Sequence, residues 1–226
     1  MSSRVKELET SSTVSHTTSR GTLFVVSSPS GGGKGTIIRH VLSVVENLRY
    51  SVSYTTRAPR LGEVNGREYF FVNREKFEEM AATGEFLEWA CVHGNLYGTA
   101  KNQILEETAA GSDIILEVDV QGAASVRQLL MDSVSIFILP PSYDVLRQRL
   151  IARGTDSPEN LELRLRNAPE ELKQYSSFDY VIINDEIARA AGQLASIIDA
   201  ERARCMRQES LVMEVIDKFK SNSMME

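Results

Sequence analysis

Between positions 27 and 36 the chain reads Ser27-Ser28-Pro29-Ser30-Gly31-Gly32-Gly33-Lys34-Gly35-Thr36. Three consecutive glycines allow a tight turn that points backbone N–H groups inward, and a helix starting behind them adds partial positive charge. Lys34 then supplies a mobile full charge suited to the β- and γ-phosphates of a nucleoside triphosphate. The stretch departs from G-x-x-x-x-G-K-[ST] at two positions. Ser28 stands at the first glycine, which asks only that the local backbone accommodate a side chain. Gly35 stands where a hydroxyl normally meets magnesium, so that contact falls to Thr36 or to water. Residues Ser28 to Thr36 are the candidate triphosphate site.

A second concentration of chemistry is Ser53-Tyr54-Thr55-Thr56-Arg57-Ala58-Pro59-Arg60. Guanidinium forks grip phosphate oxygens in pairs, so Arg57 and Arg60, on a turn stiffened by proline, can clamp a monophosphate. Ser53 and Tyr69 can add neutral hydrogen bonds. Taken alone, the two arginines read equally as solvated loop residues. Leu116-Glu117-Val118-Asp119 ends an apolar run with two carboxylates able to orient magnesium or its waters. His16, His40 and His93 fall outside these motifs, so no histidine is nominated as a general base.

The elements that must hold these residues follow from the apolar pattern. Leu23-Phe24-Val25-Val26, Ile114-Ile115-Leu116, Ile136-Phe137-Ile138-Leu139 and Tyr180-Val181-Ile182-Ile183 are short, continuous apolar runs, as strands covered on both faces should be. Between them lie helical stripes: Ile37, Ile38, Val41, Leu42 and Val45; Val126, Leu129 and Leu130; Val145, Leu146, Leu150 and Ile151; Leu194, Ile197 and Ile198. Alternation of this kind predicts an α/β fold, a parallel sheet wrapped by helices. From about Ser53 to Ile104, glycines and short extended pieces such as Tyr69-Phe70-Phe71-Val72 break the rhythm and predict a small, partly β insertion. A polar excursion from Arg153 to Arg166 predicts a loop and then a helix starting at Ser157-Pro158-Glu159.

Composition narrows the classes. With 226 residues, 42% of them hydrophobic, the chain can bury one sizeable core. Its formal net charge of -6 disfavours nucleic acid and anionic membranes as partners. No apolar run approaches the roughly 20 residues needed to cross a bilayer. Residues 1–20, rich in Ser and Thr, are expected to form a disordered tail. Cys91 and Cys205 stand apart with no metal or redox spacing, which fits a reducing, cytoplasmic setting.

The Ser53–Arg60 stretch with Gly62-Glu63-Val64-Asn65-Gly66 and Tyr69-Phe70-Phe71-Val72 closely resembles the acceptor lobe of guanylate kinases. Phe86-Leu87-Glu88-Trp89-Ala90, Gly94-Asn95-Leu96-Tyr97-Gly98-Thr99, Asp119-Val120-Gln121-Gly122, Ile138-Leu139-Pro140-Pro141-Ser142, Arg149 through Thr155 and Ile183-Asn184-Asp185 continue it, in order, over about 21–201. The glycine loop, reading Gly-Lys-Gly-Thr, also resembles that of adenylate kinases.

The resemblance implies a P-loop nucleoside-monophosphate-kinase fold, with a GMP-binding lobe at about 53–104, a mobile lid at about 149–166 and a helical tail over 202–226. It implies phosphoryl transfer from Mg-ATP to GMP, and to dGMP, in purine nucleotide metabolism. By position it makes Ser53, Arg57, Arg60, Tyr69 and Tyr97 ligands of the GMP phosphate, and Glu88 and Thr99 readers of guanine, with Asp119 also in the GMP site. One carboxylate can accept from both guanine N1–H and its exocyclic amino group, which adenine cannot match. Lys34, Arg57, Arg149, Arg153 and Arg164 become the catalytic cations, and Asn184 and Asp185 face adenine. Mg²⁺ is held through phosphates and water, with Thr36, Glu117 and Asp119 nearby. Glu117 departs from the aspartate usual at its position.

Two other readings compete. One is a kinase of similar build with a different acceptor. The other is a guanylate-kinase-like module that binds peptide, which the retained Lys34, Arg149, Arg153 and Arg164 oppose. Leu211, Val212, Val215, Ile216 and Phe219 form a helical stripe expected to pack on the core, a subunit interface being the alternative. Whether the chain is a monomer or a homo-oligomer is left open by the sequence.

Overall fold

In the computed structural model, which describes residues 20–92, 94–154 and 157–223, the elements in chain order are β1 (Leu23–Ser27), α1 (Lys34–Leu42), β2 (Leu48–Tyr50), β3 (Tyr54–Thr55), β4 (Phe70–Phe71), α2 (Arg74–Ala82), β5 (Phe86–Val92), β6 (Asn95–Ala100), α3 (Lys101–Ala109), β7 (Asp113–Glu117), α4 (Val120–Leu129), β8 (Val134–Leu139), α5 (Tyr143–Arg153), α6 (Pro158–Leu172), β9 (Tyr180–Ile183), α7 (Ile187–Arg202) and α8 (Cys205–Ser223). The expected tail before Arg20, with His16, lies outside the described residues, as do His93 and Thr155.

Five strands form one sheet in the order β2-β7-β1-β8-β9, all parallel. β1 sits at the centre, buried along its whole length. Side chains alternate across it. Phe24 and Val26 face a layer built by Ile37, Ile38, Leu194 and Ile198 of α1 and α7. Leu23 and Val25 face Ile104, Ala123 and Val126 of α3 and α4. The four strands expected from apolar runs are present. β2 is an addition: an edge strand whose Leu48 is buried while Arg49 is exposed, so it shows no continuous apolar run.

Residues 53–100 build a second sheet, in the order β4-β3-β6-β5, packed on α2 through Phe77, Met80, Phe86 and Leu96. Asn73 starts α2 by accepting a 2.9 Å hydrogen bond from the Lys76 N–H. Helices α5 and α6 make a third, small layer around Leu146, Leu150 and Ala168. Ser157 caps α6, with Pro158 in its first turn.

Three expected stripes differ in detail. Leu129 is exposed because α4 ends there and Leu130 leaves the helical conformation. Ile151 is exposed because it lies about 100° around α5 from the buried Leu150. The stripe on α8 does not join the core: Leu211, Val212, Val215, Ile216 and Phe219 are all solvent-exposed. α7 already seals that face of the sheet, and α8 is tied to it by polar contacts instead. Tyr180 and Arg207 meet the buried Glu201 carboxylate at 2.6 and 2.7 Å.

Candidate functional site

The glycine loop leaves the C-terminal end of the central strand β1 and enters α1, so its N–H groups gather at the helix's positive end. Gly31 and Gly33 have φ of 86° and 88°, the left-handed region where a Cβ is unfavourable. Space also demands glycine here. A Cβ on Gly33 would lie 2.3 Å from Asn184 Nδ2, and one on Gly31 2.9 Å from Leu146 and Leu150. Gly35 is different, since a Cβ there would rest 3.5 Å from Glu117 Oε2, an ordinary contact. Lys34 Nζ lies 3.7 Å from Glu117 Oε1, at the end of β7.

Contacts from distant segments hold the loop. Asn184, buried at the end of β9, donates from Nδ2 to the Gly32 carbonyl at 2.9 Å. Arg149 reaches the same carbonyl at 3.5 Å and donates to the Asn184 carbonyl at 2.9 Å. From α6, Arg164 donates to Ser30 Oγ at 2.5 Å, and the Glu171 carboxylate accepts from the Ser30 N–H at 3.3 Å. Helices α5 and α6 therefore rest on the loop. Arg153 closes α5, and its side chain lies outside the described set. Arg166 is exposed and paired with Glu162 within α6.

The turn bearing Arg57 and Arg60 is organised by a residue that motif reading passed over. Glu63 accepts from Arg57 Nη2 with both oxygens at 2.9 Å and from the Arg60 N–H at 2.7 Å. The Arg57 guanidinium also stands 5.5 Å from the Tyr69 ring and 5.8 Å from that of Phe71. Tyr69 and Tyr97 meet edge to face at 5.8 Å. Burial, with the Glu117 carboxylate and Tyr97 nearby, pushes the Tyr69 phenol up to about 12, so it stays a hydrogen-bond donor at neutral pH. Tyr50, at the end of β2, donates to Glu117 Oε2 at 3.3 Å, and burial raises its phenol above the ordinary tyrosine range.

A buried polar cluster lies where the second sheet meets α4. Glu88 and Thr99 are cross-strand partners in β5 and β6, just past a register shift at Phe86. The Thr99 hydroxyl donates to Glu88 Oε1 at 2.7 Å, and Ser53 Oγ lies 3.4 Å from Thr99 Oγ1. All three residues are buried. Ser53 thus stands beside the pair expected to read a base. Burial, and secondarily the Asp119 charge, push the Glu88 carboxyl up to about 7, against the Thr99 hydrogen bond. Gly122 lies close against the cluster, since a Cβ there would come 2.9 Å from Glu88 Oε2.

Other expected residues are partly committed elsewhere. Asp119 caps α4 by accepting from the Gly122 N–H at 2.7 Å. Asp185 is exposed and paired with Arg189. Thr36 is exposed and accepts from Arg39 at 3.3 Å. Among the described residues no group of three or more His, Cys, Asp and Glu could hold a metal. What the loop offers, the Glu117 carboxylate and hydroxyls beside a phosphate cradle, suits Mg²⁺, which keeps several waters and binds through few protein ligands. No helix among the described residues is long and apolar enough to cross a membrane.

Known proteins resemble this chain in sequence and fold. A sequence model of the guanylate kinase family matches residues 20–201. A guanylate kinase of Symbiobacterium thermophilum is 50% identical over 197 residues, covering 87% of this chain and 93% of the relative. One of Dechloromonas aromatica is 51% identical over 180 residues, covering 80% and 89%. The crystal structure of guanylate kinase from Anaplasma phagocytophilum superposes with a TM-score of 0.71 at 37% identity, covering 84% of this chain and 90% of that one.

Proposed function

The chain belongs to the guanylate kinase family and is an enzyme that transfers a phosphoryl group to GMP; we propose that the donor is Mg-ATP, that dGMP is also accepted, and that the reaction serves purine nucleotide metabolism. The observation that carries the residue assignment is the buried Ser53–Thr99–Glu88 group, one arm of the second sheet away from Arg57. It has the chemistry to read guanine while the arginine turn holds the phosphate.

In this reading Glu88 accepts from guanine N1–H and the exocyclic amino group, and on binding the Thr99 hydroxyl turns from Glu88 to donate to O6, with the Ser53 hydroxyl beside it. Adenine would leave those buried groups mispaired, which costs more than any apolar pocket can discriminate. Arg57, Arg60, Tyr69 and Tyr97 hold the acceptor phosphate, with Glu63 fixing the Arg57 fork. The glycine loop's N–H groups and Lys34 hold the donor's β- and γ-phosphates. Arg149 and Arg164, already seated on the loop, neutralise charge that develops as the phosphoryl group moves. The Arg153 guanidinium is assigned the same task.

Bound Mg²⁺ would supply positive charge against the phosphate oxygens. Glu117 and Thr36 would meet it through water, and Asp119 would orient part of that shell. The phosphate of GMP, with a second pKa of about 6, already presents an anionic oxygen at neutral pH, so no general base is needed. Catalysis then rests on in-line positioning, and the lid on the loop keeps water from taking the phosphoryl group. Asn184 acts in this scheme as a strut for Gly32, and its buried Oδ1 faces the adenine side.

The experiment is ADP formation from Mg-ATP with GMP, dGMP, AMP, CMP and UMP offered separately. GMP and dGMP should support turnover and the others little. Comparable turnover with AMP would overturn the roles of Glu88, Ser53 and Thr99.

A further inference from the structure

β2 is an edge strand paired in parallel with β7, and its Tyr50 stands opposite Ile115. Side chains two apart on a strand share a face, so Ile115 and Glu117 follow one another on the same side of the sheet. The Tyr50 ring packs on that side, in the layer that also holds Ile115 and Val41. Its hydroxyl reaches toward the C-terminal end of β7 and donates to Glu117 Oε2 at 3.3 Å. The other oxygen, Oε1, lies 3.7 Å from Lys34 Nζ. A hydrogen bond to nitrogen closes at about 2.7–3.2 Å, so the lysine and the carboxylate attract each other without being joined. Their side chains are 21% and 23% exposed, and water screens the attraction incompletely.

Glu117 reaches over the first turn of α1 because Gly35 has no side chain to stop it. A Cβ on Gly35 would stand 3.5 Å from Glu117 Oε2 and 3.8 Å from Oε1, with Arg39 Nη1 also 3.8 Å away. Arg39 in turn donates to Thr36 Oγ1 at 3.3 Å. One carboxylate is thus set beside two cations, and one of those cations has to be free to meet phosphate. Charge-assisted hydrogen bonds are short and strong, and a carboxylate with both oxygens open would draw the lysine into one. We propose, on the reading that Lys34 meets the donor's phosphates, that Tyr50 is a positioning residue for that lysine. Its phenol holds the Glu117 carboxylate toward β2 and so keeps the ammonium available to the nucleotide. Tyr50 itself touches no substrate and acts through Glu117, by way of its hydroxyl.

The test is calorimetric titration of the full chain with ATP in EDTA, so that no metal shares the phosphates. Lys34→Ala comes first and should weaken ATP binding by about tenfold or more. An unchanged affinity there would overturn the lysine's role and the proposal together. Tyr50→Phe keeps the ring in its layer and deletes the hydroxyl. It should weaken ATP binding by about fivefold and leave the GMP dissociation constant within about twofold of wild type. Glu117→Gln should bind ATP at least as tightly as the wild type, since the competing charge is gone. Adding Tyr50→Phe to Glu117→Gln should change the affinity by less than about twofold. A loss of ATP affinity in Lys34→Ala without one in Tyr50→Phe would overturn the proposal while leaving the lysine's role intact. So would a Tyr50→Phe effect that persists undiminished beside Glu117→Gln, because a hydroxyl that merely supports the sheet acts whether or not the carboxylate is charged.

Discussion

Glu88 and Thr99 face each other across β5 and β6, and the threonine hydroxyl spends its proton on Glu88 Oε1 at 2.7 Å. A carboxylate so placed has one oxygen partly satisfied and the other, Oε2, close over Gly122. Burial holds its pKa near the middle of the physiological range, at about 7, which makes the Glu88–Thr99 pair sensitive to pH.

The sign can be worked out. Only the ionised carboxylate accepts two donors from guanine, so GMP binding should tighten as pH rises through about 7. Between pH 6 and pH 8 the ionised fraction rises about tenfold, and the dissociation constant should fall by a similar factor beyond the effect of the nucleotide phosphate's own titration. Glu88→Gln should bind GMP weakly and keep only the phosphate's pH dependence. Stability runs the other way. Because the folded pKa is raised, the folded state binds the extra proton, so this residue's contribution is fullest below about 4.5 and is lost as pH rises through about 7. Calorimetric titration of both proteins at the two pH values, with thermal melts of the unliganded forms, checks both signs.

Glu63 binds the Arg57 guanidinium with both carboxylate oxygens and the Arg60 N–H with one of them. Both members of the ion pair are mostly shielded from solvent, so it should hold its geometry better than an exposed bridge. Glu63→Ala should therefore raise KM for GMP about tenfold while leaving kcat within about twofold, since a fork that wanders loses binding before it loses chemistry. Steady-state kinetics with GMP varied at saturating ATP separates the two. An unchanged KM would mean that stacking on Tyr69 and Phe71 suffices to hold Arg57.

What could be read from the chain and what could not divides by sequence distance. The glycine loop, the four apolar strands and the capped start of α6 are local patterns, so propensity and spacing reveal them. The strut between Asn184 and Gly32 spans 152 positions, and the bond between Tyr50 and Glu117 spans 67. No local signal links such pairs, because the sheet order that brings β2 and β9 to their neighbours is a tertiary outcome. β2 itself escaped because an edge strand with Arg49 exposed lacks an unbroken apolar run. Glu63 was visible as a residue but not as a clamp for Arg57, and Ser53 was visible beside the arginines although it folds toward Thr99. The stripe on α8 was legible as a stripe. Which surface it covers was not, since amphipathicity states that a face is apolar without saying what meets it.

Gly33 and Asn184 give a prediction about coupling. Gly33→Ala meets two obstacles, a φ of 88° and an amide nitrogen 2.3 Å from the new Cβ. The backbone component costs about 1–2 kcal/mol, and the collision should force the Asn184 amide off the Gly32 carbonyl. Alone, Gly33→Ala should raise KM for ATP at least tenfold, at about 1.4 kcal/mol per factor of ten. Asn184→Ala alone should raise it less, because Arg149 still reaches Gly32. The double variant should be no worse than Gly33→Ala, since the collision and the lost strut are then one event counted once. Additive effects in this cycle would show that Asn184 and the loop act independently.

Gly35 separates this loop from the usual pattern, and the space beside it says what restoring the pattern would do. A Cβ at Gly35 rests 3.5 Å from Glu117 Oε2 and 3.8 Å from Arg39 Nη1, with no backbone in the way. Gly35→Ser should therefore fold normally, and replacing a helical glycine should add stability of about 0.5 kcal/mol. Its hydroxyl would stand in the first turn of α1 next to Lys34, where an oxygen ligand can take the place of a water on Mg²⁺. The magnesium concentration for half-maximal turnover should fall about threefold or more, with KM for GMP unmoved because the acceptor pocket lies on a different sheet. Magnesium titrations at fixed ATP, paired with thermal melts, test this directly. If the melting temperature rises but the magnesium requirement stays put, the ion is held by phosphates and water without help from this position, and Glu117 becomes the residue to substitute next.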